Sequence, residues 1–88
     1  MISAFRDSNR TIGLRIRALR LNAGLTQQKT AEDIDISDNY LSQIERGIRP
    51  LTLPVAEQLC LLFHVTYDYL YLGLSRPISP LSGQPTGA

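Results

Sequence analysis

The sequence predicts an all-α fold, five short helices around one core. Three observations predict it. Apolar residues recur at helical spacing along most of the chain, and no stretch alternates apolar and polar residues as a strand would. Hydroxyl residues stand where helices would start, at Thr26, Ser37, Thr52 and Thr66, each able to accept an orphan backbone N–H. Glycines stand where helices would stop, at Gly24 and Gly47.

The elements follow in order. Residues 1–10 are polar and read as a flexible N-terminal arm. From Thr11 a helical pattern begins, with Ile12, Ile16, Leu19 and Ala23 on one face, and Gly24 ends it. Thr26 caps a second helix with Ala31 and Ile34 as its buried positions. Ser37 caps a third, whose apolar side is Tyr40, Leu41 and Ile44, and Gly47 closes it. A loop follows, because Pro50 disfavours helix at Arg49. Thr52 caps a fourth helix, with Pro54 in the first turn, where its missing N–H costs nothing. Its core stripe is Val55, Ala56, Leu59, Leu62 and Phe63. Thr66 caps a short fifth helix, "YDYLYL", with Asp68 at the positive helix end. Residues 75–88 are rich in Pro, Gly and Ser and read as a disordered tail or linker stump, which leaves 11–74 as the folded domain.

Composition narrows the function class. The chain has 88 residues, enough for one domain with a modest core. Cys60 is the one cysteine, so no internal disulfide is available, and no Cys/His cluster offers a metal site. No apolar run reaches the length of a membrane span, and "MISAFRDSNR" lacks the apolar region of a secretion signal. A cytoplasmic setting is expected, with no membrane partner. The net charge is only +1, but Arg6, Arg10, Arg15, Arg17 and Arg20 all precede residue 21, whereas Glu32, Asp33, Asp35 and Asp38 crowd the middle. That asymmetry points to one basic end or face; a solvated arginine-rich first helix fits the charge equally well.

The second and third helices are joined by about three residues, Asp35 to Ser37, the spacing of a helix-turn-helix. Ala31 is small where the two backbones would approach, and Asp35 tolerates the left-handed region better than most residues. Ile34, Ile36, Leu41 and Ile44 are expected to point into the angle between the helices. The pair is then rigid, and the outer face of its second member is presented to solvent.

On these residues the sequence resembles the Cro and phage-repressor type helix-turn-helix family, also called the xenobiotic-response-element family, with its lambda-repressor-like fold. "IGLRIRALR", "LTQQ", "YLSQIERG" and "VTYDYL" carry the resemblance, which spans Ile12 to Leu72. It implies a regulator of transcription, a repressor or a phage or mobile-element regulator, that binds double-stranded DNA as a homodimer on a near-palindromic operator. It implies base contacts from Asp38, Asn39, Ser42 and Gln43 on the third, recognition helix. Gln27 and Gln28 occupy positions that touch DNA phosphates, and Arg46 and Arg49 flank a loop along the DNA backbone. Arg20 and Glu45 match a structural charge pair between the first and third helices.

Side-chain chemistry agrees independently. Asn and Gln offer a donor and an acceptor together, which suits adenine in the major groove. Asn39 and Gln43 are four apart and share a helix face. Tyr40 would contact the DNA backbone or a thymine methyl, or else give half-buried support. The sequence also departs from the family. Thr30 stands where Leu is usual, and Asp35 and His64 stand where Gly is favoured, so left-handed backbone is predicted at both. Asp38 is acidic at the head of the recognition helix, where it would accept from cytosine N4 or remain a capping group.

Other residues have structural readings. His64 lies at a helix end with no second ligand near in sequence, and Cys60 reads as a small core residue. Tyr67, Tyr69 and Tyr71 spread around a short helix and are expected to pack rather than form a stacking platform. Leu14, Leu61, Leu72 and Leu74 exceed the needs of a small core, which points to a homodimer interface near the fifth helix. There is no nucleophile–base pair, phosphate loop or metal spacing, so no catalytic residue, cofactor or small-molecule ligand is expected. The rival reading is a protein-interaction module of the same fold, an antitoxin or anti-repressor partner, favoured by the low net charge and Asp38.

Overall fold

The computed structural model describes residues 7–74, which form five helices: α1 (Asn9–Asn22), α2 (Gln27–Asp33), α3 (Asp38–Glu45), α4 (Leu53–Phe63) and α5 (Tyr67–Leu72). The expected disordered tail, 75–88, and the first six residues of the expected arm lie outside the described residues. No strand occurs among the described residues. The all-α, five-helix expectation is met.

The helix starts follow the hydroxyl signals. Thr26, Ser37 and Thr66 each accept from the backbone N–H three residues on, at Lys29, Tyr40 and Tyr69. Thr52 has the backbone of an N-cap, but its side chain makes no capping bond. Pro54, in the first turn of α4, has already removed one orphan donor. The first helix starts earlier than expected. Ser8 caps it by accepting from Thr11 N–H, so α1 opens at Asn9 and not at Thr11. The N–H of Asp7 also donates to the Tyr71 carbonyl at 2.9 Å. Residues 7–10, assigned to a flexible arm, therefore belong to the domain.

Three helices, α1, α2 and α3, end with the same pair of bonds, in which N–H groups of the following turn return to carbonyls of the last turn, and α4 keeps the outer one, Val65 N–H to Cys60 O at 3.2 Å. Asp35, after α2, stands at φ 61, and His64, after α4, at φ 57, both left-handed as predicted. At Asp35 the bonds are Ile36 N–H to Ala31 O at 3.0 Å and Asp35 N–H to Glu32 O at 3.2 Å.

Ile12, Ile16, Ala31, Ile34, Leu41, Ile44, Leu51, Val55, Ala56, Leu59 and Leu70 form the core. The helices meet as α1 with α3, α2 with α3, α1 with α5, and α4 with α5. Four expected core positions need correction. Ala23 lies past the end of α1 and is exposed, and the last buried residue of α1 is Arg20. Ile36 sits in the turn and is only half-buried, packed against the edge of the core. Leu62 and Phe63 are also half-buried, at the end of a helix that packs mainly on α5.

Candidate nucleic-acid interface

The site is built on α3, whose inner residues Leu41, Ile44 and Glu45 are buried. A helix anchored on one side presents the opposite side, and Asp38 and Asn39 are exposed there. Ser42 and Gln43 are half-buried one turn further on. Asn39 and Gln43, at i and i+4, share one face. Tyr40 is half-buried and packs against the core.

The end of α3 is tied to α1 and α2 through one carboxylate. Arg20 Nε donates to Glu45 Oε2 at 2.7 Å, and its Nη2 donates to Oε1 at 2.9 Å. Both residues are buried, at 7% and 3% exposure. A bidentate pair of this kind fixes direction as well as distance. The hydrogen bond and charge of Glu45 raise the Arg20 pKa above the usual arginine value, against the opposing effect of burial. Arg20 Nη1 donates to the Leu25 carbonyl at 3.0 Å, just before α2. Gln27 completes the group, its amide nitrogen donating to Glu45 Oε1 at 3.0 Å. Sequence reasoning paired Arg20 with Glu45 and placed Gln27 only among phosphate contacts; the structure adds Gln27 as a third member of the network. Gln28, one residue on, is exposed.

Above this network runs an open groove lined by Arg10, Arg17 and Arg46 with Thr26, Gln27 and Ser42. Arg46 and Arg49 are exposed, as their loop position implied. Arg10 and Arg17 were visible only as part of an N-terminal charge cluster; the helical period of α1 brings them beside Arg46. The same fold takes two arginines out of that cluster. Arg20 is internal, and Arg15 is tied down by Asp7 Oδ2 at 2.7 Å and the Leu70 carbonyl at 2.8 Å. Tyr69 lies under the Arg15 guanidinium at 5.8 Å from ring centroid to Arg15 Cζ. The basic face is thus smaller than the sequence count implied, and it borders α3.

The loop after α3 closes on the outer face of that helix. Arg49 Nε donates to Gln43 Oε1 at 2.8 Å, and the guanidinium carbon lies 6.0 Å from the Tyr40 ring centroid. Nothing in the sequence signalled this pairing, because it depends on the turn made at Gly47.

Two anchored helices, a tight left-handed turn and an outward amide-bearing face make this a helix-turn-helix domain. The helix-turn-helix family model matches residues 16–70. The chain belongs to this family of DNA-binding regulators, of the Cro and phage-repressor type. Among similar curated proteins is the HTH-type transcriptional regulator PrpR of Mycobacterium tuberculosis, 40% identical over 57 residues, which are 65% of this chain and 12% of PrpR. Another is the regulator ImmR of Bacillus subtilis, 37% identical over 60 residues, which are 68% of this chain and 47% of ImmR. The chain therefore spans from about a tenth to about half the length of these relatives. Among solved structures, the restriction-modification controller protein C.AhdI from Aeromonas hydrophila is similar at TM-score 0.66 and 27% identity, over 70% of this chain and 94% of that one. The clp gene regulator ClgR from Corynebacterium glutamicum shares the fold at TM-score 0.64 and 24% identity, covering 70% of this chain and 80% of that one. No described helix is long and apolar enough to cross a membrane.

Proposed function

We propose that this domain reads a specific sequence in double-stranded DNA with α3 in the major groove, and that it acts as a homodimeric repressor on a near-palindromic operator. The observation that carries the reading is the shared outer face of Asn39 and Gln43 on a helix anchored by Glu45. Asp38, Asn39, Ser42 and Gln43 are the base-reading candidates. Gln28, Arg46 and Arg49, with Arg10 and Arg17 along the groove, supply phosphate contacts, and Gln27 does so through its backbone at the start of α2. Two copies place their α3 helices about 34 Å apart, one turn of DNA.

The dimer is supported by apolar side chains left in solvent around α4 and α5: Leu53, Leu61, Tyr67, Leu72 and Leu74. Leu61, Tyr67, Cys60 and Val65 line one shallow apolar groove. Leu14, on α1, is also exposed at 51%. Covering that surface with a second copy removes it from water. Repression follows from occupancy, since a bound dimer near a promoter excludes polymerase.

Binding of genomic fragments by the wild type, Asn39→Ala and Gln43→Ala tests the reading. Each variant is expected to relax preference at one base position per half-site, and unchanged preference in both would refute α3 as reader. Salt separates this from a protein-interaction module of the same fold, whose support is the exposed Asp38 and the net charge of +1. DNA affinity through several phosphates falls steeply as salt rises, and an apolar protein interface hardly responds. Sedimentation of the wild type and Leu61→Glu tests the dimer.

A further inference from the structure

We infer that Arg49 is a specificity-determining residue: it turns the Gln43 amide so that the NH2 group faces the DNA, which makes Gln43 a reader of guanine or thymine and not of adenine. This rests on the reading of α3 as the recognition helix.

The chemistry of the pairing fixes the amide. Arg49 Nε donates to Gln43 at 2.8 Å. A guanidinium has five donors and no acceptor, so the amide oxygen must face it and the amide nitrogen must lie on the other side. Adenine is read by an amide that offers both atoms at once, the nitrogen to N7 and the oxygen to the N6 amino group. A second lone pair remains on the oxygen, so what Arg49 removes is the freedom to turn the amide edge-on to an adenine. The two NH donors stay available, and they match groups that only accept, namely guanine O6 and N7 and thymine O4.

The backbone holds Arg49 in place for this task. Gln43 is the residue of α3 whose carbonyl receives the closing bonds of the helix, from Ile48 N–H at 2.9 Å and Arg49 N–H at 3.2 Å. The turn that permits both bonds passes through Gly47 at φ 78. Arg49 therefore meets Gln43 through main chain and side chain together, while its guanidinium rests beside the Tyr40 ring. Forming the side-chain bond costs little further freedom, because the cap has already brought the residues together.

Two measurements on the full chain test this. In the free protein, NMR exchange at Arg49 Nε–H is expected to be slower than at exposed Arg17, and equal exchange would overturn the proposal. The second selects bound duplexes from a randomised pool with wild type, Gln43→Ala and Arg49→Ala. The position flattened by Gln43→Ala is expected to be guanine or thymine in the wild type. In Arg49→Ala the same position is expected to gain adenine preference by about fivefold or more, which corresponds to roughly 1 kcal/mol of discrimination. If Arg49 served only to bind a phosphate, Arg49→Ala would weaken all duplexes alike without moving that preference, and that result overturns the proposal. So does adenine in the wild type, or a Gln43→Ala variant that flattens no position. If the wild type enriches no duplex while Arg49 Nε–H is protected, the reading of α3 has failed and the side-chain pairing has not.

Discussion

Gly13 of α1 lies against the backbone of Glu45 at the end of α3. A Cβ at Gly13 would overlap the carbonyl oxygens of both Glu45 and Ile44. Helix propensity alone favours Gly13→Ala by about 1 kcal/mol. The overlap is with backbone, which cannot swing aside, so the helices must part at a cost of several kcal/mol if the core opens with them. The expected outcome is a net loss of about 2 kcal/mol or more, read by thermal or urea unfolding. A stabilised Gly13→Ala protein would show that α1 and α3 are less closely packed.

The Arg20–Glu45 pair makes a sharper prediction. Removing either partner alone, as in Arg20→Ala or Glu45→Ala, leaves a buried charge unmatched and is expected to cost about 3–5 kcal/mol. The double variant Arg20→Met with Glu45→Leu is expected to recover much of that loss, because no charge remains inside. Because Glu45 raises the Arg20 pKa, this contribution is complete below the ordinary arginine pKa and is lost only as pH rises through the still higher folded value. Titration of Arg20 therefore gives no change in stability across neutral pH, which pH-dependent denaturation of the wild type and Arg20→Met would check.

Thr30 is fully buried, and its Oγ1 has no hydrogen-bond partner among the described residues. A buried hydroxyl without a partner costs about 1–3 kcal/mol relative to an apolar group of the same shape. Thr30→Val is accordingly expected to stabilise the domain by about 1 kcal/mol, or some 4–8 °C in Tm for a chain of this size. DNA affinity should not change, since Thr30 faces inward. A neutral or destabilised Thr30→Val would imply a partner for the hydroxyl.

Cys60 is half-buried beside Leu61, Val65 and Tyr67, and desolvation raises its thiol above the ordinary value of 9.0. The folded state thus holds this proton more tightly than the unfolded chain. Its contribution to stability is complete below the ordinary thiol pKa and declines as pH rises through the raised one. Stability is expected to fall more steeply above pH 9.0 in the wild type than in Cys60→Ala. Alkylation of the folded protein at pH 8 should be slower than that of the unfolded chain.

How much of this was legible follows from what each signal depends on. Helix starts at Thr26, Ser37 and Thr66 were readable because a cap is a local device that needs only its own hydroxyl and the next turn. The left-handed position at His64 was readable only from the glycine that the family favours there, whereas Asp35 was readable also from its own tolerance of that region. Ser8 was missed as the first cap because the apolar pattern starts only at Ile12. The pairing of Arg20 with Glu45 came from the family resemblance, and burial settled its character. The joining of Gln27 to Glu45, Arg15 to Leu70, and Arg49 to Gln43 was not legible, since each depends on where two elements finish in space. The basic face was overestimated for that reason: counting arginines cannot tell which ones turn inward.

The bond from the loop to Gln43 has an evolutionary corollary. A regulator must keep its scaffold while its targets drift, and substitutions within the helix that meets the target risk both at once. Here a residue outside that helix orients a side chain on it. On the role proposed for Arg49, a lineage could thus retune its preferred sequence by exchanging one loop residue, leaving the helix itself unaltered.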